Sequence, residues 1–304
     1  MQPLQWDHRP DGLRAPALVC AFTGWNDAAD AASTALTFVG KALEAKRFAT
    51  IDPEEFYDFQ ATRPRIKLVE GRTREIVWPA VELYEARVPR APRDLVLLAG
   101  AEPSFRWRTF SKLVVDLAEV LGTQLVVTLG ALLADVPHTR AVSITGLASD
   151  PALVARLGLE TSTYEGPTGI TGVLHTACQQ AGIPSASLWA AVPHYVAAAP
   201  NPKAALALVR RLEGLVGVAV DASELETASG DYERQVNIAV QGDPDVQAFV
   251  EQLEQAAGSA GEPGTLPSGE SIAKDLQRFL RQRGSEGEPP TASRGGGGGG
   301  GGSE

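Results

Sequence analysis

The sequence predicts an α/β fold, a three-layer α/β/α sandwich with a C-terminal helical extension. Three observations carry that prediction. The run Leu95-Val96-Leu97-Leu98-Ala99 is wholly apolar, the pattern of a strand in a parallel sheet covered on both faces. Between Leu18 and Val216, short apolar runs alternate with segments of helical periodicity, as crossover units require. A glycine-rich loop, Tyr164-Glu165-Gly166-Pro167-Thr168-Gly169-Ile170-Thr171-Gly172, leads straight into a helix predicted over 170–181.

The elements follow in order. Leu18 to Phe22 reads as a strand ending in Thr23-Gly24, after which Asn26 or Asp27 caps an Ala-rich helix running to about Lys46. Segments 48–51, 66–69, 76–78 and 83–88 read as short strands broken by Pro and Gly, partly antiparallel hairpin material inserted before the next regular unit. Within 105–121, Phe110, Leu113, Val114, Leu117 and Leu121 recur at helical spacing. Segments 125–129, 142–145 and 186–191 are strands, and 202–216 is a helix, which completes an α/β core domain over 1–220.

Segment 221–257 is a helical appendage of two helices, the second opening at Asp243-Pro244 with Phe249 and Leu253 on one face. A Gly/Pro/Ser linker (258–269) then leads to a terminal helix (270–283) with an apolar stripe of Ile272, Leu276, Phe279 and Leu280. The tail, 284–304, holds unbroken glycines from 295 to 302 and lacks the apolar surface needed to order.

Composition narrows the function classes. With 304 residues and 44% hydrophobic content the chain buries a sizeable core. A formal net charge of −10 argues against a nucleic-acid partner or an anionic membrane held by a general electrostatic field. The two cysteines, Cys20 and Cys178, make neither a disulfide framework nor a four-ligand zinc set, and His8, His138, His175 and His194 lack metal-ligand spacing. No metal and no cofactor are expected. No segment approaches the roughly 20 apolar residues of a membrane span, and 1–10 has no long apolar run, so the expectation is an unprocessed cytoplasmic protein in a reducing compartment. Arg in excess of Lys, with abundant Ala and Gly, points to a high-GC bacterial genome.

The chemistry-bearing residues gather in loops. The first N–H groups of a helix lack intrahelical partners and carry the positive end of its dipole, so the loop 164–172 is a candidate cradle for a carboxylate or phosphate, with Thr168 as N-cap. Its spacing matches neither a dinucleotide fingerprint nor a nucleotide-triphosphatase loop. Ligands of open α/β sheets bind at the carboxyl ends of the strands, where Asn26, Glu102, the loop after Gly130, and His194 emerge. The candidate cleft is therefore Asn26, Glu102, His138, Arg140, Glu165, Gly166, Thr168, Gly169 and His194, two imidazoles and a guanidinium around a small anion. In the alternative reading each His holds a loop and Arg140 pairs with an acidic neighbour. A hydrolase would need an activated nucleophile, yet there is no Gly-x-Ser-x-Gly elbow and Cys178 lies mid-helix.

Several segments occur together and in order: Phe22-Thr23-Gly24-Trp25-Asn26-Asp27-Ala28-Ala29, Gly100-Ala101-Glu102-Pro103, Pro137-His138-Thr139-Arg140, the loop 164–172, Pro193-His194-Tyr195-Val196 and Pro200-Asn201-Pro202-Lys203. From about Ala17 to about Ala257 the chain resembles the proteasome assembly chaperone 2 family, in a bacterial, actinobacterial form. The resemblance implies a purine-nucleoside-phosphorylase-like fold, a homo-oligomer with a trimer as first expectation, and a role in assembling proteasome rings. The chain ends Gly302-Ser303-Glu304 and so departs from the hydrophobic-Tyr-any tripeptide with which family members dock on the ring. A protein contact would instead use Phe105, Arg106 and Trp107, or Ile272, Leu276 and Phe279. The reading adopted is an ATP-independent assembly factor that binds proteins, proteasome subunits included, without turnover. The alternative is a small-ligand enzyme or sensor, phosphorylase-like or hydrolase-like, using the strand-end cleft.

Overall fold

An eight-stranded mixed sheet organises the chain. Its strands are β1 (Leu4–Trp6), β2 (Ala17–Thr23), β3 (Lys46–Ile51), β6 (Val81–Ala86), β7 (Leu95–Ala101), β8 (Leu125–Ala134), β9 (Ile144–Ala148) and β10 (Ser185–Pro193), in the order β1-β3-β6-β7-β2-β8-β10-β9. The remaining strands, β4 (Arg65–Val69) and β5 (Thr73–Val77), pair with each other as a separate hairpin. The computed structural model describes residues 3–69, 73–149, 165–196 and 199–259. Ile272, Leu276 and Phe279, with most of the linker and all of the tail expected after 258, lie outside these residues.

Only the centre of the sheet is parallel: β7, β2, β8 and β10 run together, whereas β1, β3 and β6 join one side antiparallel and β9 closes the other antiparallel to β10. The parallel strands are the continuous apolar runs. Residues Ala17 to Phe22 are at most 1% exposed, as a strand covered on both faces must be. Two details correct the sequence reading. The chain does not turn after Gly130, because β8 pairs with β10 in unbroken register from Val126↔Ser185 to Ala134↔Pro193. The Ala-rich helix stops well before Lys46, which opens β3.

Successive strand side chains point to opposite faces, so β2 serves two cores. Ala17, Val19 and Ala21 pack with Ala35, Leu36 and Val39 of α1 (Ala31–Ala42) and with Leu208 and Leu212 of α4 (Pro202–Val216). Leu18, Cys20 and Phe22 pack with Phe110 and Val114 of α2 (Trp107–Val120) and with Ile170 and Leu174 of α3 (Ile170–Gln180). The phenylalanines interlock edge to face, Phe110 lying 5.9 Å from Phe22 and 5.5 Å from Phe56. Helices therefore flank both faces, and α5 (Ser223–Gln241) and α6 (Pro244–Ser259) follow as the C-terminal pair. Among the described residues no helix is long and apolar enough to cross a membrane.

Both thiols are structural. Cys20 and Cys178 are fully buried in the second core; burial pushes the Cys178 thiol up to about 11 and holds that of Cys20 well above its ordinary value. His175, on α3, is also buried, and its Nδ1 has no partner among the described residues. Burial lowers its pKa, which favours the neutral ring.

Two predictions follow from these cores. A Cβ at Gly130 would stand 2.6 Å from the Trp189 ring, whose Nε1 donates to Ser187 Oγ. Gly130→Ala is expected to destabilise the fold by about 1–3 kcal/mol, read as a fall in the urea midpoint. For His175, the unfolded chain binds a proton that the folded chain refuses between the lowered folded pKa and the ordinary 6.5. Its contribution is fully present above that ordinary value and shrinks as pH falls toward the folded one. His175→Gln should lose less stability than wild type on acidification through this window, measured by urea titration.

Candidate functional site

The loop after β2 starts the site. Ala29 and Asp30 adopt left-handed backbone, with φ of 49° and 51°, a conformation that costs non-glycine residues about 1–2 kcal/mol each. Four bonds hold it. The buried Asp27 carboxylate accepts from the N–H groups of Ala32 (2.6 Å) and Ser33 (3.2 Å) at the start of α1, Ala131 N–H of β8 donates to Asn26 O (2.8 Å), and Asn201 N–H donates to Ala29 O (2.9 Å). Of the two candidate caps, Asp27 is thus the one that satisfies α1. Asn201, itself buried, caps α4 by accepting from Ala204 N–H, with Pro202 at the first helical position.

Opposite this loop, at the end of β7, Glu102 bridges two elements. Its Oε1 accepts from Asn26 Nδ2 at 2.7 Å and from Ile170 N–H, at the start of α3, at 2.8 Å. Asn26 is fully buried and its Oδ1 accepts from Thr171 Oγ1 at 3.0 Å. The carboxylate can only accept, so it fixes the orientation of the Asn26 amide. The sequence reading of the helix start is corrected here: the N-cap is Gly169, without a side-chain cap bond, and Thr168 Oγ1 lies 3.4 Å from Gly169 O instead of reaching the orphan amides. A carboxylate from another strand performs the capping and meets the helix dipole. Gly169 is required because a Cβ there would lie 2.2 Å from Asn26 Oδ1. Glu165, Gly166 and Thr168 are exposed beside this junction.

A second polar assembly sits beyond β8 and β10. The Tyr195 hydroxyl accepts from His138 N–H and is hydrogen-bonded to His138 Nδ1, both at 2.7 Å, while His138 Nε2 lies 3.1 Å from Asn237 Oδ1 on α5. Both ring nitrogens of His138 thus have a hydrogen-bond partner within the protein. Lys203 Nζ donates to His138 O and to Glu233, each at 2.6 Å, and Thr139 Oγ1 donates to Glu254 on α6. His194 Nδ1 lies 2.9 Å from Asp135 Oδ1 but lacks hydrogen-bond alignment, and Asp135 is 64% exposed at its side chain, so this proximity contributes little. The His194 and Tyr195 rings pack edge to face on Phe249 at 5.4 and 5.9 Å. Burial raises the Tyr195 pKa, so the hydroxyl stays protonated as this network needs.

The candidate residues thus fall into two groups, with Asn26, Glu102 and Gly169 joined in one, and His138 in another with His194 beside it. Arg140 is exposed, and its backbone N–H donates to Pro137 O at 3.4 Å. Among the described residues no group of three or more His, Cys, Asp or Glu side chains could hold a metal. Of the candidate contact residues, Phe105 is 52% exposed, Arg106 pairs with Glu55 at 2.7 Å, and Trp107 is half-buried against the second core with its Nε1 donating to Pro103 O. Sequence reasoning missed Thr171, Asn237, Glu233 and Glu254. Only Thr171 carried a signal, its place in the glycine-rich loop.

Gly169→Ala is expected to lower stability by about 2–4 kcal/mol, since the methyl must displace the buried Asn26 amide from Glu102. Glu102→Ala should cost about 1–3 kcal/mol by leaving Asn26 Nδ2 and Ile170 N–H without their acceptor. Combined, the two losses should fall short of their sum by at least about 0.5 kcal/mol in a double-mutant cycle, because both break one network.

The comparisons with known proteins agree with this architecture. A model described as the PAC2 family matches residues 21–240. The chain is 48% identical to a PAC2 family protein of Streptomyces avermitilis, covering 77% of this chain and 99% of that one with a TM-score of 0.73. It is 44% identical to a Mycobacterium tuberculosis proteasome-assembly chaperone homologue, over 77% and 99% of the two chains, with a TM-score of 0.71. An archaeal proteasome activator from Pyrococcus furiosus shares the fold at 17% identity and a TM-score of 0.61, over 78% of this chain and 97% of that one. No curated protein matches. The matched span holds both polar assemblies almost entire, from Asn26 and Glu102 through Ile170 and His138 to Asn237, and on this ground the chain belongs to the PAC2 family.

Proposed function

We propose that the chain is an assembly chaperone-like factor for the proteasome, acting in the cytoplasm as a homo-oligomer, by ATP-independent binding of proteins and without turnover. The observation that carries this reading is the carboxylate of Glu102 on the N-terminal amide of α3. A helix N-terminus that would cradle a ligand phosphate or carboxylate is satisfied by the chain's own anion, as the His138 ring is by Tyr195 and Asn237. Of the groups that made a reaction cleft plausible, Asn26, Glu102 and His138 are spent on joining elements to one another. The name of the mycobacterial relative, a proteasome-assembly chaperone homologue, supplies the client class. Assignment of the sheet to the purine-nucleoside-phosphorylase type of sandwich, and of the oligomer to a trimer, belongs to the same proposal.

The second reading, a small-ligand enzyme or sensor, requires Glu102 to leave the start of α3 and give its place to a ligand anion. Co-expression of the tagged full chain with the proteasome α and β subunits of its own source organism, followed by native mass spectrometry, tests the first reading. The expected result is a complex holding this chain and unassembled or half-assembled rings. Recovery of free rings and free chain in separate fractions would overturn it.

A further inference from the structure

At the amino ends of the parallel strands, away from both polar assemblies, the segments that enter β2 and β7 enclose an open cavity of about 270 Å³ lined by Gly12, Arg14, Arg87, Pro89 and Asp94. Its walls are fixed. Asp94, 2% exposed, accepts from the N–H groups of Arg14 and Val88 and from Arg14 Nη2, each at 2.9 Å. Ala91 N–H donates to Val88 O at 2.9 Å and so closes a turn with Pro89 and Arg90 at its centre. That turn also holds the Arg14 guanidinium, because Val88 O accepts from Nη2 at 2.6 Å and Ala91 O from Nη1 at 3.2 Å. The second lining arginine, Arg87, donates from Nε to Glu85 Oε2 at 3.0 Å and from Nη2 to Asp11 O at 2.7 Å. Glu85 is shared with His8, whose Nε2 lies 2.8 Å from its other oxygen.

These donors are not all used. A guanidinium carries five N–H groups. Arg14 spends three on the protein, and its Nε has no acceptor among the described residues. Arg87 Nη1 has nothing better than a 3.5 Å contact with Gly12 O. The charge is not balanced either. Two guanidinium groups line the cavity against the one carboxylate of Asp94, and segments 11–14 and 85–94 together hold four arginines against three carboxylates, in a chain of formal net charge −10. Fixed forks with unspent N–H groups and an excess of one positive charge match a planar monoanion. A phosphate ester carries about 1.5 to 2 negative charges at neutral pH and would face Asp94 with charge to spare. We propose that this cavity is a binding site for one carboxylate group, borne by a free small acid or by the end of a peptide chain. It is separate from the strand-end residues, and neither the proteasome reading nor its alternative depends on it.

Gly12 offers a clean test. Its φ of 63° is left-handed, and a Cβ there would meet nothing within 4 Å. Asn and Asp both adopt that conformation and share a shape, so Gly12→Asn and Gly12→Asp differ by the one charge that cancels the excess. Propionate, N-acetylglycine and inorganic phosphate are titrated into the full chain at constant ionic strength, with propionamide as the uncharged control, and followed by the amide resonances of Leu13 and Arg14. An acid is expected to saturate these shifts with a dissociation constant of about 1–10 mM, and propionamide to leave them unmoved. Saturation by propionate supports the site for a free acid, and saturation by N-acetylglycine alone supports it for a chain end. Gly12→Asp and Arg87→Gln should each weaken binding by at least about tenfold, and Gly12→Asn by less than about threefold. An unchanged melting temperature establishes that each variant folds. Arg87→Lys keeps the charge without the fork and should weaken binding by at least about threefold, which serves if Arg87→Gln fails to fold. No saturation by either acid below about 50 mM, or equal binding by the Asp and Asn variants, would overturn the site. Tighter binding of phosphate than of either acid would overturn the carboxylate.

Discussion

One carboxylate oxygen, Glu102 Oε1, ties the loop after β2 to the start of α3. It receives the amide of Asn26 from the loop after β2 and the first amide of α3, from positions 76 and 68 residues away in the chain. Charge-assisted bonds of this kind are stronger than neutral ones, and leaving either donor unmet in a buried setting would be costly. The neighbouring features follow from that junction. Gly169 must lack a side chain because Asn26 fills its space. Asn26 projects inward, and Asp27 and Asn201 hold in place the strained turn at Ala29 and Asp30 that follows it.

The second assembly does for the C-terminal helices what the first does for the sheet. Asn237, Glu233, Glu254 and Phe249 project from α5 and α6 onto the loops that follow β8 and β10. Lys203 links the two assemblies, since it follows the capping segment Asn201-Pro202 and donates to His138 O. The short motifs scattered along the chain are therefore consecutive pieces of one hydrogen-bonded layer across the strand ends. The hairpin of β4 and β5 stands outside this layer, with every one of its strand residues exposed.

The central strands were legible because burial on both faces demands unbroken apolar runs, and β2 and β7 satisfy it residue by residue. Helix α2 was legible from the spacing of Phe110, Val114 and Leu117. The end of β8 was not, because Gly130 reads as a turn in isolation and stays in the strand only through the Trp189 ring packed over it. Antiparallel pairing was legible in the broken strands between 48 and 88 but not at β9, because a short run such as Ile144–Ala148 carries no mark of direction. In the site, a glycine-rich loop before a helix announces a place for an anion, yet nothing local says that the anion is Glu102.

By itself the sequence determined the alternation of strands and helices, the glycine-rich helix start, the absence of clustered metal-ligand spacing among its four histidines, and the family to which the motifs point. These are properties of periodicity, composition and short spacing, which local chemistry sets. Tertiary structure alone decided which donor meets which acceptor: that Glu102 caps α3, that His138 is spent on Tyr195 and Asn237, and that Ile66, Leu68, Ile76 and Trp78 stay in solvent while runs no more apolar are buried. Such pairings join residues far apart in the chain, and they exist only once the sheet has brought its strand ends to one side.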